Sequence, residues 1–280
     1  MAGATLTTPV LIDIGANLAH DSFDTDRAQV MERARAVGVA AMIVTGSTLD
    51  DTDRAVALCR QFPDVLRATA GVHPHHATGL QADDTGRLVD LLSDPMVVAA
   101  GECGLDYFRN FSPPAEQRRA FELQLGLAEL GKRPLFLHQR DAQADFLALL
   151  RAHPAAASRA VLHCFTGGPQ ELEDCLELGL SIGVTGWICD ERRGQALREA
   201  VPRIPGERLM LESDAPYLLP RTIHPKPAHR RNEPAYLPVI LEETRLLLGV
   251  YFESYVFYAP NERFGGTVFH RIASQSHASA

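Results

Sequence analysis

Residues 97–106 read VVAAGECGLD, a short apolar run followed by Glu102. Residues 97–101 are too few for a helix and too continuously apolar for a strand with one face in water. They therefore predict a strand that is buried on both faces, as in a parallel sheet covered by helices. The carboxylate of Glu102 follows this strand directly.

Similar runs, rich in β-branched residues, recur along the chain at spacings that suit alternating strands and helices. Glycine follows three of the intervening helical segments, at Gly38, Gly131 and Gly179, which is the usual residue just past a helix end. Eight strands alternating with helices predict an α/β fold, a single (β/α)₈ TIM barrel. The other seven predicted strands are residues 10–14, 40–45, 66–71, 134–138, 160–163, 180–184 and 209–212.

The composition limits the class of protein. The chain has 280 residues, of which 46% are hydrophobic and 22% charged, as in ordinary globular proteins. The net charge of −8 excludes a uniformly basic nucleic-acid coat. Five scattered cysteines without a CxxC pair, and an N-terminus without the features of a signal peptide, predict a reducing, cytoplasmic location. No apolar run approaches the length of a membrane span.

The chain divides into three parts by composition and sequence pattern. Residues 1–9 form a short N-terminal extension, and residues 10–249 form the barrel domain, without a linker or a repeat. Residues 250–280 carry seven of the eighteen Phe and Tyr residues and end in small polar residues. We interpret this last part as an atypical tail.

Polar residues that interrupt the apolar pattern cluster at the predicted strand ends. A single residue of this kind is more often a loop cap than a ligand, and Asp13 alone, or His163 alone, suits a structural role. Two histidines and two carboxylates on four strand ends, however, converge at the C-terminal mouth of a barrel, where active sites lie. Their mixture of nitrogen and oxygen atoms predicts a divalent metal site. The residues at these ends are Asp13, His73, His75, His76, Glu102, His138, His163 and Asp214.

Two cysteines adjoin these residues. Because neighbouring strand residues point to opposite faces, Cys103 and Cys164 should point outward if Glu102 and His163 point inward. They are predicted to pack against the helices, and to act neither as ligands nor as nucleophiles.

Basic residues concentrate on the same face. Residues 221–231 contain four Lys or Arg and two His without an acid, while Arg192 and Arg193 follow the seventh strand and Arg140 follows the fifth. Any one of these arginines suits a solvated loop, but their concentration in an acidic protein favours an anionic substrate, with phosphate as the leading candidate. The aromatic residues of these loops could pack at the rim or stack on bases: Tyr107, Phe108, Phe165, Trp187 and Tyr217.

Seven motifs, read together, resemble those of the TatD family of metal-dependent deoxyribonucleases. The similarity runs from about residue 10 to about residue 249. The motifs are DIGANL (13–18), GVHPH (71–75), GECGLD (101–106), LHQRDA (137–142), LHCFTG (162–167), TGWICDERRG (185–194) and LESDAPYLLPR (211–221).

The resemblance implies a TIM barrel that hydrolyses phosphodiester bonds. Its implied activity is 3′–5′ exonuclease action on single-stranded DNA, with RNA as a further candidate substrate and a role in DNA repair or degradation. The implied cofactor is one or two divalent cations, Mg²⁺ first and Mn²⁺ second.

The family's functional residues carry over to matching positions. Its metal ligands correspond to Glu102, His138, His163 and Asp214, with Glu102 expected to bridge two cations. Glu102, Asp214 and His73 are the expected catalytic residues, and His73 should lie near the scissile phosphate. The expected substrate-binding residues are Arg140, Arg221, Arg230 and Arg231.

Three departures qualify the resemblance. Gly15 and Asn17 stand where many relatives have two histidines, which predicts a weaker metal position that prefers hard cations. Gln139 follows His138 where related chains often have cysteine, and alternation predicts that it faces away. The tail does not resemble the family's final helix.

Two other functions remain open at this stage. A small-molecule amidohydrolase or lactonase can be built on the same barrel, although the missing histidine pair and the basic loop count against it. A non-catalytic scaffold is a further alternative, against which the complete ligand set argues.

Overall fold

The computed structural model describes residues 10–249, which form one barrel of eight parallel strands in sequential order. The predicted extension (residues 1–9) and tail (residues 250–280) lie outside the described residues. The predicted fold is confirmed, strand for strand. The strands are β1 (Leu11–Ala16), β2 (Val39–Val44), β3 (Leu66–Ala70), β4 (Val97–Asp106), β5 (Leu135–Arg140), β6 (Ala160–Leu162), β7 (Ser181–Val184) and β8 (Leu209–Leu211).

Helices alternate with the strands and cover the barrel, as the sequence pattern predicts. Glycine adjoins the ends of α1, α4 and α7 at Gly38, Gly131 and Gly179. Within residues 10–249, no helix combines the length and apolar character needed to cross a bilayer. The helices are α1 (Arg27–Ala36), α2 (Leu49–Gln61), α3 (Thr85–Ser93), α4 (Pro114–Leu130), α5 (Gln143–Ala152), α6 (Pro154–Ala157), α7 (Pro169–Glu177), α8 (Gln195–Ala200) and α9 (Leu237–Leu248).

The first and last strands meet beyond the end of β8. The backbone N–H of Asp214 donates to the carbonyl of Gly15 at 2.8 Å, and that of Asn17 donates to Ala215 at 2.7 Å. These two bonds join the ends of the sheet at the carboxyl side of the strands. They therefore place the segment that carries Asp214 beside the end of β1.

The apolar core has two layers because the strand residues alternate between them. One layer lies between the strands and the helices and includes Leu137 and Leu162. The other fills the inside of the barrel with side chains such as Ile14, Phe136 and Met210. The ring of Phe136 lies 4.7 Å from that of His163, so this inner layer forms the floor under the polar residues.

Strand β4 is longer than the sequence pattern predicts, because it continues past Gly101 to Asp106. Alternation along these added residues puts Glu102 and Asp106 on one face, while Cys103 and Leu105 lie in the apolar layer between strands and helices. The strand thus delivers two carboxylates to the mouth of the barrel.

Candidate metal centre

Three imidazoles converge on one carboxylate oxygen. Glu102 Oε1 lies 3.0 Å from His138 Nδ1, 3.3 Å from His73 Nε2 and 3.7 Å from His163 Nε2. The three histidines come from β5 and from the segments after β3 and β6, so the parallel barrel brings them together. His163 Nε2 also lies 3.9 Å from Asp214 Oδ1, which links the second carboxylate to the group.

The charge on Glu102 is stabilised by this environment. Burial of the side chain opposes ionisation, but the electrostatic interactions with His73 and His163 and the hydrogen bonds from His138 and His73 outweigh it. The pKa of Glu102 therefore lies well below its ordinary value. The group is an anionic centre for a cation to approach.

A second buried carboxylate orients His163. Glu212 Oε2 lies 2.6 Å from His163 Nδ1, and Glu212 Oε1 accepts the backbone N–H of Cys164 at 2.5 Å. Because Glu212 accepts the Nδ1 proton, Nε2 is the nitrogen that faces Glu102 and Asp214 and that can exchange its proton for a cation. A Cβ atom at Gly15 would lie 2.5 Å from Glu212 Oε2, so glycine there leaves room for this carboxylate.

Asp214 and its neighbour Ser213 are hydrogen-bonded to residues in and just after β1. Its Oδ1 accepts a hydrogen bond of 3.2 Å from Asn17 Nδ2. The preceding residue, Ser213, donates its backbone N–H to Asp13 Oδ1 at 2.9 Å. Burial raises the pKa of Asp214 to about 7, with the neighbouring carboxylates Glu102 and Glu212 acting in the same direction. Asp13 thus has the structural role that the sequence favours.

His138 provides the test of whether a cation fits. Its Nε2 atom is buried without a hydrogen-bond partner and approaches Asp106 Oδ2 only to 3.5 Å. Asp106 in turn lies 2.7 Å from His75 Nε2, and these two histidines help to hold its pKa below the ordinary value against the effect of burial. Nδ1 of the same ring faces Glu102, so it is the atom that a cation at Glu102 would bind, while Asp106 on the Nε2 side would orient the imidazole as carboxylates do for metal-bound histidines.

His73 is neutral near pH 7 and has a defined tautomer. Burial lowers its pKa to about 4, and Nδ1 accepts the backbone N–H of His75 at 3.1 Å. The ring proton is therefore on Nε2, which faces Glu102. His73 is thus a hydrogen-bond donor directed into the site.

Within residues 10–249 there are two groups of side chains in which the possible ligand atoms all lie within 4.8 Å of one another. The first is His73, Glu102 and His138, and the second is His163, Cys164 and Asp214. The presence of Cys164 corrects a prediction, because this cysteine does not pack against the helices. Strand β6 ends at Leu162, and Cys164 adopts a φ of 46°, so alternation no longer applies. Cys103, by contrast, packs in the apolar core as predicted.

Three of the predicted substrate-binding arginines lie on loops or strand ends at the mouth. Arg140 donates from Nη1 to Thr166 Oγ1 at 2.9 Å. Arg221 is half-exposed, with Nε 3.3 Å from Asp190 Oδ2. Arg230 is exposed, and among residues 10–249 it has no ion-pair partner. Arg221 and Arg230 line the same cleft.

Arg231 is placed differently. Its guanidinium donates to both carboxylate oxygens of Asp26, at 2.8 and 2.6 Å, and to Glu233 at 2.9 Å. A further bond of 2.6 Å reaches the carbonyl of Ser22, and the side chain is only 19% exposed. Arg231 therefore links the loop after β8 to the start of α1. It is not an available phosphate ligand.

The loop aromatics divide into buried and exposed groups. Phe165 is buried, and Tyr107 donates its hydroxyl to Asp145 at 2.7 Å. Trp187 is partly buried between arginines. Phe108 and Tyr217 remain 59% and 52% exposed, so they are the ring faces available to a ligand. Gln139 bonds to Gln143 of α5, which confirms that it faces away from the mouth.

Glu212 and Asp106 contribute to the site without having been singled out from the sequence. Both stand in motifs that were recognised, LESDAP and GECGLD, but spacing alone does not show which of two nearby acids points inward. In the structure both acids of each motif point inward, Glu102 with Asp106 and Glu212 with Asp214. The sequence did offer a signal, namely a further carboxylate near each expected ligand. Glu212 stands two residues before Asp214, and Asp106 stands four residues after Glu102.

The family model for TatD-related DNases matches residues 12–255. A protein of Edwardsiella piscicida named 3′-5′ ssDNA/RNA exonuclease TatD is 55% identical over 233 residues, which cover 83% of this chain and 90% of the relative. A protein of Dickeya dadantii with the same name is 52% identical and covers 83% of this chain and 88% of the relative. The family model thus reaches from β1 to α9 and includes all the proposed site residues.

Solved structures agree with these sequence matches. A TatD family hydrolase from Entamoeba histolytica superposes with a TM-score of 0.77 at 27% identity, covering 88% of this chain and 93% of the other. A TatD homologue from Escherichia coli gives the same TM-score and identity, with coverages of 85% and 90%. The chain belongs to the TatD family of metal-dependent deoxyribonucleases.

Proposed function

We propose that this protein is a metal-dependent exonuclease that hydrolyses phosphodiester bonds of single-stranded DNA from the 3′ end, and of RNA as a further substrate. The observation that carries the proposal is the convergence of His73, His138 and His163 on Glu102 Oε1. The names of relatives more than 50% identical to this chain support the polarity and the substrate.

Four residues would hold the metal: Glu102, His138, His163 and Asp214. A divalent cation bound there would supply a Lewis acid for the phosphoryl oxygen and would lower the pKa of an attacking water. Mg²⁺, with Mn²⁺ as second choice, is proposed because Gly15 and Asn17 offer no imidazole. Room for an additional histidine at position 15 is also lacking, since Glu212 occupies it.

Asp214 and His73 have separate tasks in this proposal. Asp214 orients the attacking water and takes its proton. Neutral His73 donates its Nε2 proton in a hydrogen bond to a phosphate oxygen and so stabilises negative charge as it develops. Glu212 keeps Nε2 of His163 directed at the centre.

Binding of the strand is assigned to exposed groups at the mouth. Arg140, Arg221 and Arg230 are proposed to bind phosphates, while Phe108 and Tyr217 are proposed to stack on bases. Arg231 is excluded because its donors are committed to Asp26 and Glu233. All five cysteines are free thiols, which supports the proposed cytoplasmic location.

The proposal is tested with single strands labelled at the 3′ or the 5′ end, incubated with Mg²⁺, with Mn²⁺ or with EDTA. The expected result is early release of the 3′ label as a mononucleotide, stepwise shortening of 5′-labelled strands, and no reaction in EDTA. A parallel preparation of Glu102→Gln controls for contaminating nucleases.

The small-molecule alternative is tested with the same protein and metals. Cyclic amides and lactones are screened beside the oligonucleotides. Hydrolysis of a cyclic amide or lactone, with intact oligonucleotides, would overturn the nuclease proposal. Cleavage that persists in EDTA would overturn its metal dependence.

A further inference from the structure

A buried carboxylate joins two arginines from neighbouring loops. Asp190, after β7, is 3% exposed, and its Oδ2 accepts from Arg193 Nε at 2.8 Å and lies 3.3 Å from Arg221 Nε. Its Oδ1 accepts the backbone N–H groups of Arg192 and Arg193 at 3.1 and 3.2 Å. Asp190 is thus the shared anchor of two guanidinium groups that lie 28 positions apart in sequence.

The outer ends of both guanidiniums remain available. Because Asp190 engages Nε in each case, the terminal Nη groups of Arg193 and Arg221 are left, and they have no hydrogen-bond partner within residues 10–249. The Arg193 guanidinium lies over the ring of Trp187, 4.4 Å from its centroid, which helps to hold it in place. Both side chains are about half-exposed, so a ligand can reach them.

The surrounding cleft is suited to an anion. A guanidinium presents donors in a planar fork that matches phosphate oxygens, and two such forks held by one carboxylate retain a net positive charge. The cleft contains one acid, Glu191, among its lining residues. The basic residues that line it are Arg192, Arg193, Arg221, Lys226 and Arg230, with His224 and His229 beside them.

This cleft is separate from the metal centre. In the described part of the chain, no hydrogen bond or ion pair joins Asp190, Arg193 or Arg221 to the four proposed metal ligands. None of the four proposed metal ligands is among the residues that line the cleft. A phosphate held by the two arginines is therefore a different group from the one at Glu102.

We propose that Arg193 and Arg221, positioned by Asp190, bind a backbone phosphate of the single strand away from the scissile bond. This inference rests on the proposed nuclease function and adds a second phosphate subsite to it. Asp190 is a positioning residue, because it acts through the arginines. The subsite gives longer strands a binding advantage over substrates with one phosphate.

The first test varies the length of the substrate. Bis(4-nitrophenyl) phosphate, a dinucleotide and oligonucleotides of increasing length are compared with Mn²⁺ for the unchanged chain, Arg193→Ala and Arg221→Ala. The loss of kcat/KM should be about tenfold to a hundredfold larger for long strands than for the one-phosphate substrates, chiefly through KM. Arg203→Ala, which removes a half-exposed arginine paired with Glu173, is the matched control.

The outcomes separate the subsite from the nuclease proposal. Equal losses at every length would overturn the second subsite while leaving the nuclease intact. No hydrolysis of any phosphodiester by the unchanged chain would overturn the nuclease itself.

The second test uses Asp190→Asn. The two possible roles of this carboxylate predict opposite changes in oligonucleotide affinity. If the carboxylate only offset the charge of the arginines, its neutralisation would tighten oligonucleotide binding. If it positions them, binding weakens, and the effects of Asp190→Asn and Arg193→Ala are not additive. Fluorescence anisotropy in EDTA measures the affinity, and tighter binding by Asp190→Asn would overturn the positioning role.

A free phosphate is the other source of the same chemistry. Calorimetric titration with inorganic phosphate separates the two sources. Inorganic phosphate is expected to bind much more weakly than the oligonucleotide. Tight phosphate binding that is lost in Arg193→Ala would instead assign the cleft to a free anion.

Discussion

Glu212 Oε2 lies 2.6 Å from His163 Nδ1, and both side chains are buried. This bond determines which nitrogen of His163 faces the other proposed ligands. A carboxylate in this position fixes the ring and increases its basicity toward a metal. The pair therefore links the end of β8 to the chemistry at the end of β6.

Replacement of Glu212 by Gln should weaken metal binding by about tenfold to a hundredfold. The amide can still accept a hydrogen bond, but it lacks the negative charge and can turn its NH₂ toward the ring. Calorimetric titration with Mn²⁺ measures the change, with circular dichroism as the control for folding. Unchanged Mn²⁺ affinity in a folded variant would show that Glu212 does not orient the ligand.

Gly15→Ala should reduce metal affinity as well, because its Cβ would lie 2.5 Å from Glu212 Oε2 and 3.4 Å from His163 Nδ1. Gly126→Ala in α4 is the matched control, since a Cβ there meets nothing within 4 Å. The control should bind metal normally and gain about 0.5–1 kcal/mol of stability from the helix preference of alanine. Equal metal affinity in both variants would contradict the proposed crowding at Gly15.

Two adjacent arginines should respond differently to salt. Arg230→Ala is expected to make the log–log salt dependence of single-strand binding shallower by about 0.7, the value for one phosphate contact. Arg231→Ala should leave this slope unchanged but lower the free energy of unfolding by about 2 kcal/mol, because it breaks the bonds to Asp26 and Glu233. Anisotropy at several salt concentrations and urea unfolding provide the two readouts. A shallower slope for Arg231→Ala would return that residue to the substrate path.

Asp13 should make the metal-free protein less stable as the pH rises. Burial raises its pKa from 3.8 to about 7 in the folded chain, so between these values the folded state binds a proton that the unfolded state has lost. This contribution to stability is complete below pH 3.8 and disappears as the pH passes about 7.

Asp13→Asn should therefore lose less unfolding free energy than the unchanged chain between about pH 4 and pH 7. The amide keeps an oxygen acceptor for Gly15 and Ser213 and removes the titrating proton. Asp214 and His163 titrate in both proteins, so the comparison isolates Asp13. Urea unfolding in EDTA measures it, and parallel pH profiles would be the opposing result.

The fold was predictable because buried parallel strands leave a clear apolar signal. The extension of β4 was not, because Gly104 and Asp106 interrupt that signal. In the structure Asp106 faces the mouth of the barrel, where polar groups replace the core. When a polar residue is taken as the end of a strand, the predicted strand is therefore too short at a functional site.

The candidate site was predictable as a set of residue types at strand ends, but its second layer was not. The ion pairs of Arg231 with Asp26 join positions 205 residues apart, and no local pattern reveals such a partner. Cys164 illustrates a different limit. The alternation rule fails there because the backbone leaves the strand one residue earlier than expected.

The central claim is that Glu102 is the anionic centre of a catalytic metal site. Mn²⁺ binding to the unchanged chain and to Glu102→Gln, followed by electron paramagnetic resonance together with exonuclease activity, tests it most directly. The variant is expected to fold, to lose the tighter Mn²⁺ site, and to lose at least about a hundredfold in activity, because an amide cannot replace the charged ligand. Undiminished Mn²⁺ binding and near-normal strand hydrolysis by folded Glu102→Gln would contradict it.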